Sequence, residues 1–322
     1  MQEFDNITNS SVESSINPKF LAFKENYSSL EAEELIAAAN EFFAAVTPPP
    51  VYGGRQGGGL ESHLINNDNA PHPATSAGQA LTSPRKQGED YFSNQPSTIN
   101  HQPTLFSFSS FGSWSALLLH MIAEIDKSIP VLFLDTGKHF PETIKYANDI
   151  TKHLGLKNLI TLTPDDKILS HADIFGNLWQ SNVNRCCWIR KVEPLDRFID
   201  ENTNLEAIIT GRRAYQTKER QQMEKIELDD KGKIRINPLA FWSKDKIKEE
   251  FKRRNLFNHP LVEQGYPSIG CAPCTRQVMP GEDERAGRWA HIIDMSKDGD
   301  ITAQKQECGI HLSKSEVSDW VI

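Results

Sequence analysis

Five short apolar segments, each followed by residues with helical periodicity or a turn, constrain the fold of this chain more than any other feature. They occupy residues 105–109, 130–134, 159–163, 206–210 and 233–237. Helices are expected at 116–124, from Pro141 onward, between the third and fourth segments, and at 244–254. Because strands that alternate with helices form parallel sheets covered on both faces, the sequence predicts a doubly wound, mostly parallel α/β fold.

The chain is predicted to divide into four parts. Residues 28–45 have an amphipathic stripe that includes Leu35 and Phe43, and Ser28 with Glu31 has the spacing of a capping box. From 47 to 103 the composition is rich in Gly, Pro, Asn, Ser and Gln and offers little to bury. We therefore predict an N-terminal helical segment at 1–46, a disordered linker or insertion at 47–103, an α/β domain at 104–290 and a mobile C-terminal tail at 291–322.

Charge and hydropathy exclude several classes of protein. The net charge of −8 argues against a general affinity for nucleic acid. The N-terminus lacks the basic and apolar regions of a secretory signal, and apolar runs such as 131–134 are too short to span a bilayer. We expect a soluble, cytoplasmic protein that binds neither nucleic acid nor membrane. Its oligomeric state is open, and a homo-oligomer is compatible with the sequence.

Two turns at the ends of neighbouring predicted strands favour a nucleotide site. Ser110 and Gly112 lie in the turn between the first strand and the next helix, and Asp135, Thr136 and Gly137 follow the second strand. A helix N-terminus points free N–H groups at bound anions, although a Ser/Gly turn alone is more often an ordinary helix cap. Ligands of open α/β sheets bind beyond the carboxyl ends of the strands, which favours the nucleotide interpretation.

Four of the five cysteines form two pairs. Cys186 and Cys187 are adjacent, and Cys271 and Cys274 form a C-x-x-C motif. In a chain without an export signal, clustered cysteines more often bind metal or do redox chemistry than form disulfides. Four thiolates accept either tetrahedral zinc or an iron–sulfur cluster. Adjacent cysteines would be cramped on one small ion, which favours a cluster, while zinc and unliganded buried thiols remain as alternatives.

The fifth cysteine and several basic residues are the other candidates for chemistry. Cys308 lies in a polar tail beside a glycine, where an accessible thiol can act as a nucleophile or be an incidental surface group. His311 is close enough in sequence to favour the thiolate. Lys191 lies four residues after Cys187, Arg285 and Arg288 are three residues apart, and Arg212-Arg213 follows the fourth strand. Converging side chains of this kind suit sulfate and phosphate oxygens.

The motifs together resemble the assimilatory sulfonucleotide reductases, the family of adenylylsulfate (APS) and phosphoadenylylsulfate (PAPS) reductases. The resemblance covers about residues 104–312, and its matching strings are SSFGSWSALLLHM, LDTGKHFPET, CCWIRKVEPL, TGRRAYQTKER, GYPSIGCAPCTRQVMPGEDERAGRW and KQECGIHL. It implies an adenine-nucleotide alpha hydrolase-like fold with a modified PP-loop. That loop binds a nucleotide but does not hydrolyse ATP.

The resemblance also implies a role for each candidate residue. One [4Fe–4S] cluster per chain would be bound by Cys186, Cys187, Cys271 and Cys274, and Cys308 would be the catalytic thiol. Lys191, Arg285 and Arg288 would hold the phosphosulfate of the substrate. The remaining substrate-binding candidates are residues of the two turns and the tail, namely Ser110, Gly112, Asp135, Thr136, Gly137 and His311.

The activity implied by the resemblance is reduction of adenosine 5′-phosphosulfate to sulfite and AMP, in sulfate assimilation and cysteine biosynthesis. A Cys308 S-sulfonate would be the intermediate, and thioredoxin or glutaredoxin the reducing partner. Family members with all four paired cysteines usually take APS, and members without them take PAPS, so reduction of PAPS is the nearest alternative. A tRNA-thiolating or ATP-pyrophosphatase enzyme should contain S-G-G-x-D-S, from which Phe111 and Trp114 depart. The most distant alternative is a zinc-stapled nucleotide-binding module without catalysis.

Overall fold

A six-stranded sheet organises the computed structural model, which describes residues 17–44, 102–295, 305 and 307–320. The strand order is β3-β2-β1-β4-β6-β5. Their bounds are β1 (Leu105–Phe108), β2 (Val131–Leu134), β3 (Leu159–Leu162), β4 (Ala207–Thr210), β5 (Ile226–Leu228) and β6 (Ile234–Ile236). Every neighbouring pair is parallel except β5 with β6. The predicted mostly parallel α/β fold is therefore confirmed, and β5 was not predicted.

Most of the described helices connect or cover these strands. They are α1 (Pro18–Tyr27), α2 (Ala32–Ala44), α3 (Ser115–Ile125), α4 (Pro141–Leu154), α5 (Asp166–Ala172), α6 (Leu178–Ser181), α7 (Val183–Cys187), α8 (Glu193–Glu201), α9 (Lys244–Arg253), α10 (Ala290–Met295) and α11 (Lys314–Val317). A π-helical turn, Trp188–Val192, joins α7 to α8, and short 3₁₀ turns occupy Ala214–Gln216, Glu219–Gln222, Ala272–Cys274 and Ser318–Trp320. The predicted helices after β1, β2 and β6 agree with α3, α4 and α9.

The N-terminal helical segment differs in detail from the prediction. Helix α2 begins at Ala32, and the carboxylate of Glu34 accepts a hydrogen bond from the backbone N–H of Glu31. Ser28 instead ends α1, because its N–H donates to the carbonyl of Lys24 at 3.2 Å. The predicted Ser28–Glu31 capping box is therefore wrong. Helix α1 itself went unpredicted because its one fully buried residue, Phe23, creates no visible stripe.

Alternate residues of the strands feed two cores, one on each face of the sheet. On the first face, residues such as Val131 and Ile209 pack with α2, α3, α4 and α9. On the second face, Phe106 and Leu132 pack with Leu195 of α8 and with Val317 near the C-terminus. Burial on both faces explains why apolar residues predominate in the central strands, where even Ser107 of β1 is buried. The tail residues around 310–317 thus belong to the second core.

The two ends of the predicted linker lie side by side. The hydroxyl of Thr104, at the start of β1, donates to the carbonyl of Phe43 in α2 at 2.5 Å. Except for residues 102 and 103, the predicted linker 47–103 lies outside the described residues. Since its flanks are already adjacent, a connection of almost any length can join them at modest entropic cost. None of the described helices is both long enough and apolar enough to cross a bilayer.

This adjacency leads to a prediction for a shortened chain. Replacing residues 47–101 with about six Gly and Ser residues should leave the free energy of unfolding unchanged or raise it by up to about 2 kcal/mol, because a shorter loop costs less entropy to close. Urea denaturation of both proteins under anaerobic conditions measures the difference. A loss of more than about 2 kcal/mol would mean that the replaced residues contribute stabilising contacts.

Candidate active site

A cleft of ≈ 210 Å³ lies at the carboxyl ends of β1, β2 and β4. The chain adds β2 and β3 on one side of β1 and the later strands on the other side, so the strand order reverses between β1 and β4. Such a reversal leaves a crevice between the connections that leave the two strands, and open α/β sheets bind their ligands there. Ser110, Thr136 and Arg213 reach the cleft from these three strand ends. The fold thereby collects turns that are a hundred residues apart in sequence.

The first turn gives its small residues to the cleft and anchors its aromatic residues. Phe111 and Trp114 both have positive φ, at 49° and 64°. The ring of Phe111 is fully buried, 5.1 Å from that of Phe133, and the ring of Trp114 lies 5.2 Å from that of Phe251 in α9. These aromatic contacts offset the strain of the left-handed backbone. Both departures from S-G-G-x-D-S thus have packing roles, and Trp114 lines the cleft together with Ser110 and Gly112.

Helix α3 begins at this turn without a side-chain cap. Its first residues, including Ser115 and Leu118, line the cleft. Uncapped N–H groups at a helix N-terminus carry partial positive charge and hydrogen-bond anions. On the far side, the carbonyl of Pro267 accepts a hydrogen bond from Ser113, which holds the loop before Cys271 against the turn. The turn is therefore suited to a phosphate group.

Only the middle residue of the second predicted turn lines the cleft. Thr136 is fully buried and its hydroxyl oxygen lies 3.3 Å from the sulfur of Cys271. The carboxylate of Asp135 accepts a hydrogen bond from the N–H of Gly137 at 3.0 Å, so these two residues close the turn on themselves. Neither Asp135 nor Gly137 is among the residues that line the cleft.

The four paired cysteines line one small pocket behind the cleft. Cys186, Cys187 and Cys274 are buried, and Cys271 is half-buried. Among the described residues, no three His, Cys, Asp or Glu side chains are arranged to hold a metal ion as they stand. An iron–sulfur cluster places each cysteine sulfur on a different iron, so its ligands do not have to meet at one ion. Four sulfur donors around one small pocket, with the cationic side chains of Arg190, Lys191 and Arg288 in its wall, fit that chemistry.

Burial controls the ionisation of these thiols. It raises the pKa of Cys186 to about 12, and the neighbouring Cys187 adds to the effect. Burial followed by the proximity of Cys271 likewise raises the pKa of Cys274 to about 12. Thiolates at these positions therefore require a strong positive charge, which a bound metal centre supplies.

Lys191 lies between the cysteine pocket and the cleft and lines both. Burial alone would lower the pKa of its ammonium group, but the negative charge of nearby Cys271, Cys308 and Cys187 outweighs burial and raises it. The π-helical turn Trp188–Val192 carries Lys191 and follows directly on Cys187. Cys187 and Lys191 both line the cysteine pocket, although the turn between them is not α-helical. Turns of this type often occur at functional sites.

Arg285 and Arg288 enter the same cleft from the loop after Cys274. Burial, then the positive charges of Arg288 and Arg220, lower the pKa of Arg285 to about 10. The guanidinium of Arg288 occupies the space that a β-carbon at Gly270 would need, so a side chain there would displace the guanidinium. It also donates to the carbonyl of Ile269 at 3.2 Å. Guanidinium groups that crowd one another in this way favour a polyanionic ligand.

The arginines after β4 divide into two roles. Arg212 and Arg213 both line the cleft, but the guanidinium of Arg212 is already bonded to Glu227 and Asn237. Arg213 is buried, and its Nε has no hydrogen-bond partner among the described residues. Sequence reasoning could name the Arg212-Arg213 pair but could not say which member is already paired, because Glu227 and Asn237 are distant from it in sequence.

Cys308 lines the cleft from the C-terminal segment and is half-buried. The residue before it, Glu307, is buried and forms an ion pair with Arg220 through hydrogen bonds of 2.6 and 2.8 Å. The hydroxyl of Thr217 donates to the same carboxylate at 3.1 Å. Sequence reasoning missed this ion pair because its members are 87 residues apart. Movement of the tail as a whole stays a prediction.

His311 lines the cleft as well, but its hydrogen bonding restricts what it does. Its Nδ1 lies 3.0 Å from Nη1 of Arg235, which can only donate, so Nδ1 is the acceptor. Burial and then the charges of Arg212, Arg220 and Arg235 hold the pKa of His311 well below its usual range. A neutral imidazole does not stabilise a thiolate by its charge. The suggestion that His311 favours the Cys308 thiolate is therefore not supported by this geometry.

A buried ion pair between Arg190 and Asp173 holds the second turn against the π-helical turn that follows Cys187. Nη2 of Arg190 lies 2.6 Å from the carboxylate of Asp173, and its Nη1 donates to the carbonyl of Thr136 at 2.8 Å. Both side chains are at most 8% exposed. Because buried charges are tolerated only when paired, this contact restricts Thr136 to its position beside Cys271.

Comparison with known proteins agrees with these features. Residues 104–277 match the phosphoadenosine phosphosulfate reductase domain. The adenosine 5′-phosphosulfate reductase of Mesorhizobium japonicum is 47% identical over 210 residues, which are 65% of this chain and 77% of that protein. The protein of the same name from Rhodococcus erythropolis is 35% identical over 202 residues, 61% of this chain and 74% of that one.

Among solved structures, a phosphoadenylyl-sulfate reductase from Candida auris has 28% sequence identity and a TM-score of 0.46, and the match covers 55% of this chain and 84% of that one. The family domain spans more than half of the chain, and the Mesorhizobium relative is matched over more than two thirds of its length. The chain is therefore a member of the sulfonucleotide reductase family.

Proposed function

We propose that this protein reduces adenosine 5′-phosphosulfate to sulfite and AMP, with Cys308 as the nucleophile. The observation that carries the proposal is the position of Cys308 in the same cleft as the uncapped helix N-terminus, the buried Lys191 and the half-buried Arg285 and Arg288. A thiol and an anion site within one cleft suit thiol attack on an anionic substrate. The names of the two bacterial relatives point to the same reaction.

The reaction would proceed in two thiol steps. The Cys308 thiolate attacks the sulfur of the phosphosulfate, an S–S bond forms, and the bond from sulfur to the phosphate oxygen breaks with its electron pair leaving on AMP. Positive charge near that oxygen stabilises the leaving group, which is the role assigned to the arginines and the N–H groups of α3. The product on the protein is a cysteine S-sulfonate.

Sulfite is then released by a second thiol. A thiolate of the reductant attacks the Cys308 sulfur, sulfite leaves, and a second thiol of the reductant resolves the mixed disulfide. The other four cysteines face the separate pocket behind the cleft. We therefore assign this step to an external dithiol protein, thioredoxin or glutaredoxin. Both are proteins of reducing compartments, and a cytoplasmic location follows from that requirement.

We assign Cys186, Cys187, Cys271 and Cys274 to a [4Fe–4S] cluster. A cluster there would hold these buried sulfurs as thiolates and would add a charged group to the wall that the cysteine pocket shares with the cleft. The ammonium of Lys191 would offset the negative charge of the thiolates, and the hydroxyl of Thr136 lies within hydrogen-bond reach of Cys271. Both groups are held by the fold without any ligand.

A cluster leads to a prediction about metal content. Anaerobically purified protein should be brown and contain about four irons and four labile sulfides per chain, the content of one [4Fe–4S] cluster. Cys187→Ser should lose most of the iron, since it removes one ligand. Elemental analysis and a visible absorption spectrum measure both proteins. One zinc per chain with no visible absorption would contradict the assignment.

The nucleophile is tested by Cys308→Ser. This variant should keep its iron and bind AMP as the wild type does, yet release no sulfite, because serine is a far weaker nucleophile at neutral pH. In wild-type protein given substrate but no reductant, mass spectrometry of tail peptides should show one added sulfonate. Ser315→Ala, an exposed change in the same tail, is the matched control and should leave the rate unchanged. Sulfite release by Cys308→Ser at a rate near that of wild type would overturn the role.

The preferred substrate is a third prediction. A ribose 3′-phosphate needs its own cation or N–H donors, because its burial is otherwise costly. Arg212 is already paired with Glu227, which leaves fewer free cations for a further phosphate. We expect a preference for the unphosphorylated donor of at least about 2.8 kcal/mol in transition-state binding, about a hundredfold in kcat/KM. Sulfite release from each donor with thioredoxin present measures it, and equal efficiency would assign the protein to both donors.

A further inference from the structure

Trp320, near the C-terminus, contacts the loop that carries Cys308 on two sides. Its ring faces the ammonium group of Lys305 at 3.7 Å, and it packs against Gly309. The tryptophan lies outside every motif quoted for the family. It reaches the loop because α11 and the 3₁₀ turn Ser318–Trp320 fold the chain back after Cys308.

Gly309 shows how closely the ring approaches. A β-carbon at this position would lie 2.5 Å from the Trp320 ring and 2.9 Å from the side chain of Val192. Its φ of +98° is also one that side-chain-bearing residues rarely adopt. The backbone immediately after Cys308 is thus enclosed between the indole and the π-helical turn. The ring leaves that backbone little freedom to move.

Lys305 gives the loop a second attachment to the same ring. Besides its cation–π contact with Trp320, its ammonium donates to Asn184 at 2.6 Å and lies 5.7 Å from the centre of the Trp289 ring. Partly buried cation–π contacts are stronger than exposed ones, because less water screens the charge. Lys305 and Gly309 both contact the ring, and they lie on either side of Cys308 in the sequence.

The C-terminal fold that presents the ring is itself anchored. Ser313 and Glu316 form a capping box at the start of α11, and Val317 is buried in the second core. Nη1 of Arg235 donates to the carbonyl of Ile310 at 3.0 Å. Trp320 is therefore attached to a well-packed segment, and contact with its ring restrains the Cys308 loop.

We propose that Trp320 is a positioning residue that holds the Cys308 loop in the conformation from which its sulfur faces the substrate cleft. Trp320 is not among the residues that line the cleft, and it acts on Cys308 through Lys305 and Gly309. Removing the ring should release the loop while leaving the anion site of the cleft intact. The inference concerns the same thiol as the proposed function and rests on it for the reactive step, but the packing can be tested separately.

The first test needs no substrate. Full-length protein purified anaerobically is treated with iodoacetamide, and the rate of alkylation at Cys308 is followed by mass spectrometry of the tail peptide. Trp320→Ala should raise that rate about tenfold through loss of packing, Lys305→Met should raise it about threefold, and Trp320→Phe should stay near wild type. Lys246→Met is the matched control, because it removes a cation–π contact of 4.1 Å with Trp242 elsewhere. Equal rates in wild type and Trp320→Ala would overturn the proposal.

The second test follows the reactive step in a single turnover. With adenosine 5′-phosphosulfate and no reductant, Trp320→Ala should form the Cys308 S-sulfonate at least about tenfold more slowly, while substrate affinity and iron content stay within about twofold of wild type. Trp320→Phe should recover most of the rate. Weaker substrate binding with an unchanged rate of sulfonate formation would contradict a positioning role. If wild-type protein forms no sulfonate, the proposed function fails, and the alkylation rates still decide the role of Trp320.

Discussion

The rest of the site depends on the charges around one buried group, the ammonium of Lys191. It stands in the wall between the cysteine pocket and the cleft, and burial would be costly for it without negative charge nearby. Under the proposed function both compartments would supply that charge, the pocket through thiolates and the cleft through an anionic ligand. The two compartments would then be electrostatically coupled, since the charge in one changes the stability of the charge in the other.

The sheet fixes the backbone positions from which the residues around Lys191 reach the cleft. Strands β1, β2 and β4 end at one edge, and the turns that follow them provide Ser110, Thr136 and Arg213. The opposite wall comes from irregular chain after β6, which includes Gly270, Arg285 and Arg288. This wall is held by specific contacts, such as Arg288 against Gly270, in place of strand pairing. The cleft thus lies between turns that follow paired strands and a wall of irregular chain.

Much of this arrangement could be read from the sequence, for physical reasons. Central strands buried on both faces are mostly apolar, so β1, β2 and β4 were visible, and clustered cysteines are conspicuous by their rarity. Edge strand β5 was not visible, because it has three residues that include Glu227, and only Ile226 among them is fully buried. The direction of a side chain at a turn was not predictable either. Asp135 and Gly137 flank Thr136 yet do not line the cleft, and His311 is held by Arg235, which is 76 residues away.

The π-helical turn at Trp188–Val192 has a consequence for how this part of the chain can vary. A π turn contains one residue more than an α-helical turn, and each residue of an α-helix advances the chain by about 100° around the axis. Deleting any one residue between 188 and 192 would let the segment relax into regular α-helix. A π turn and an α-helical turn with one residue fewer rotate the chain by nearly the same angle, so Leu195 and Ile199 would stay in the second core. The effect of the extra residue is therefore local, on the backbone that carries Arg190 and Lys191.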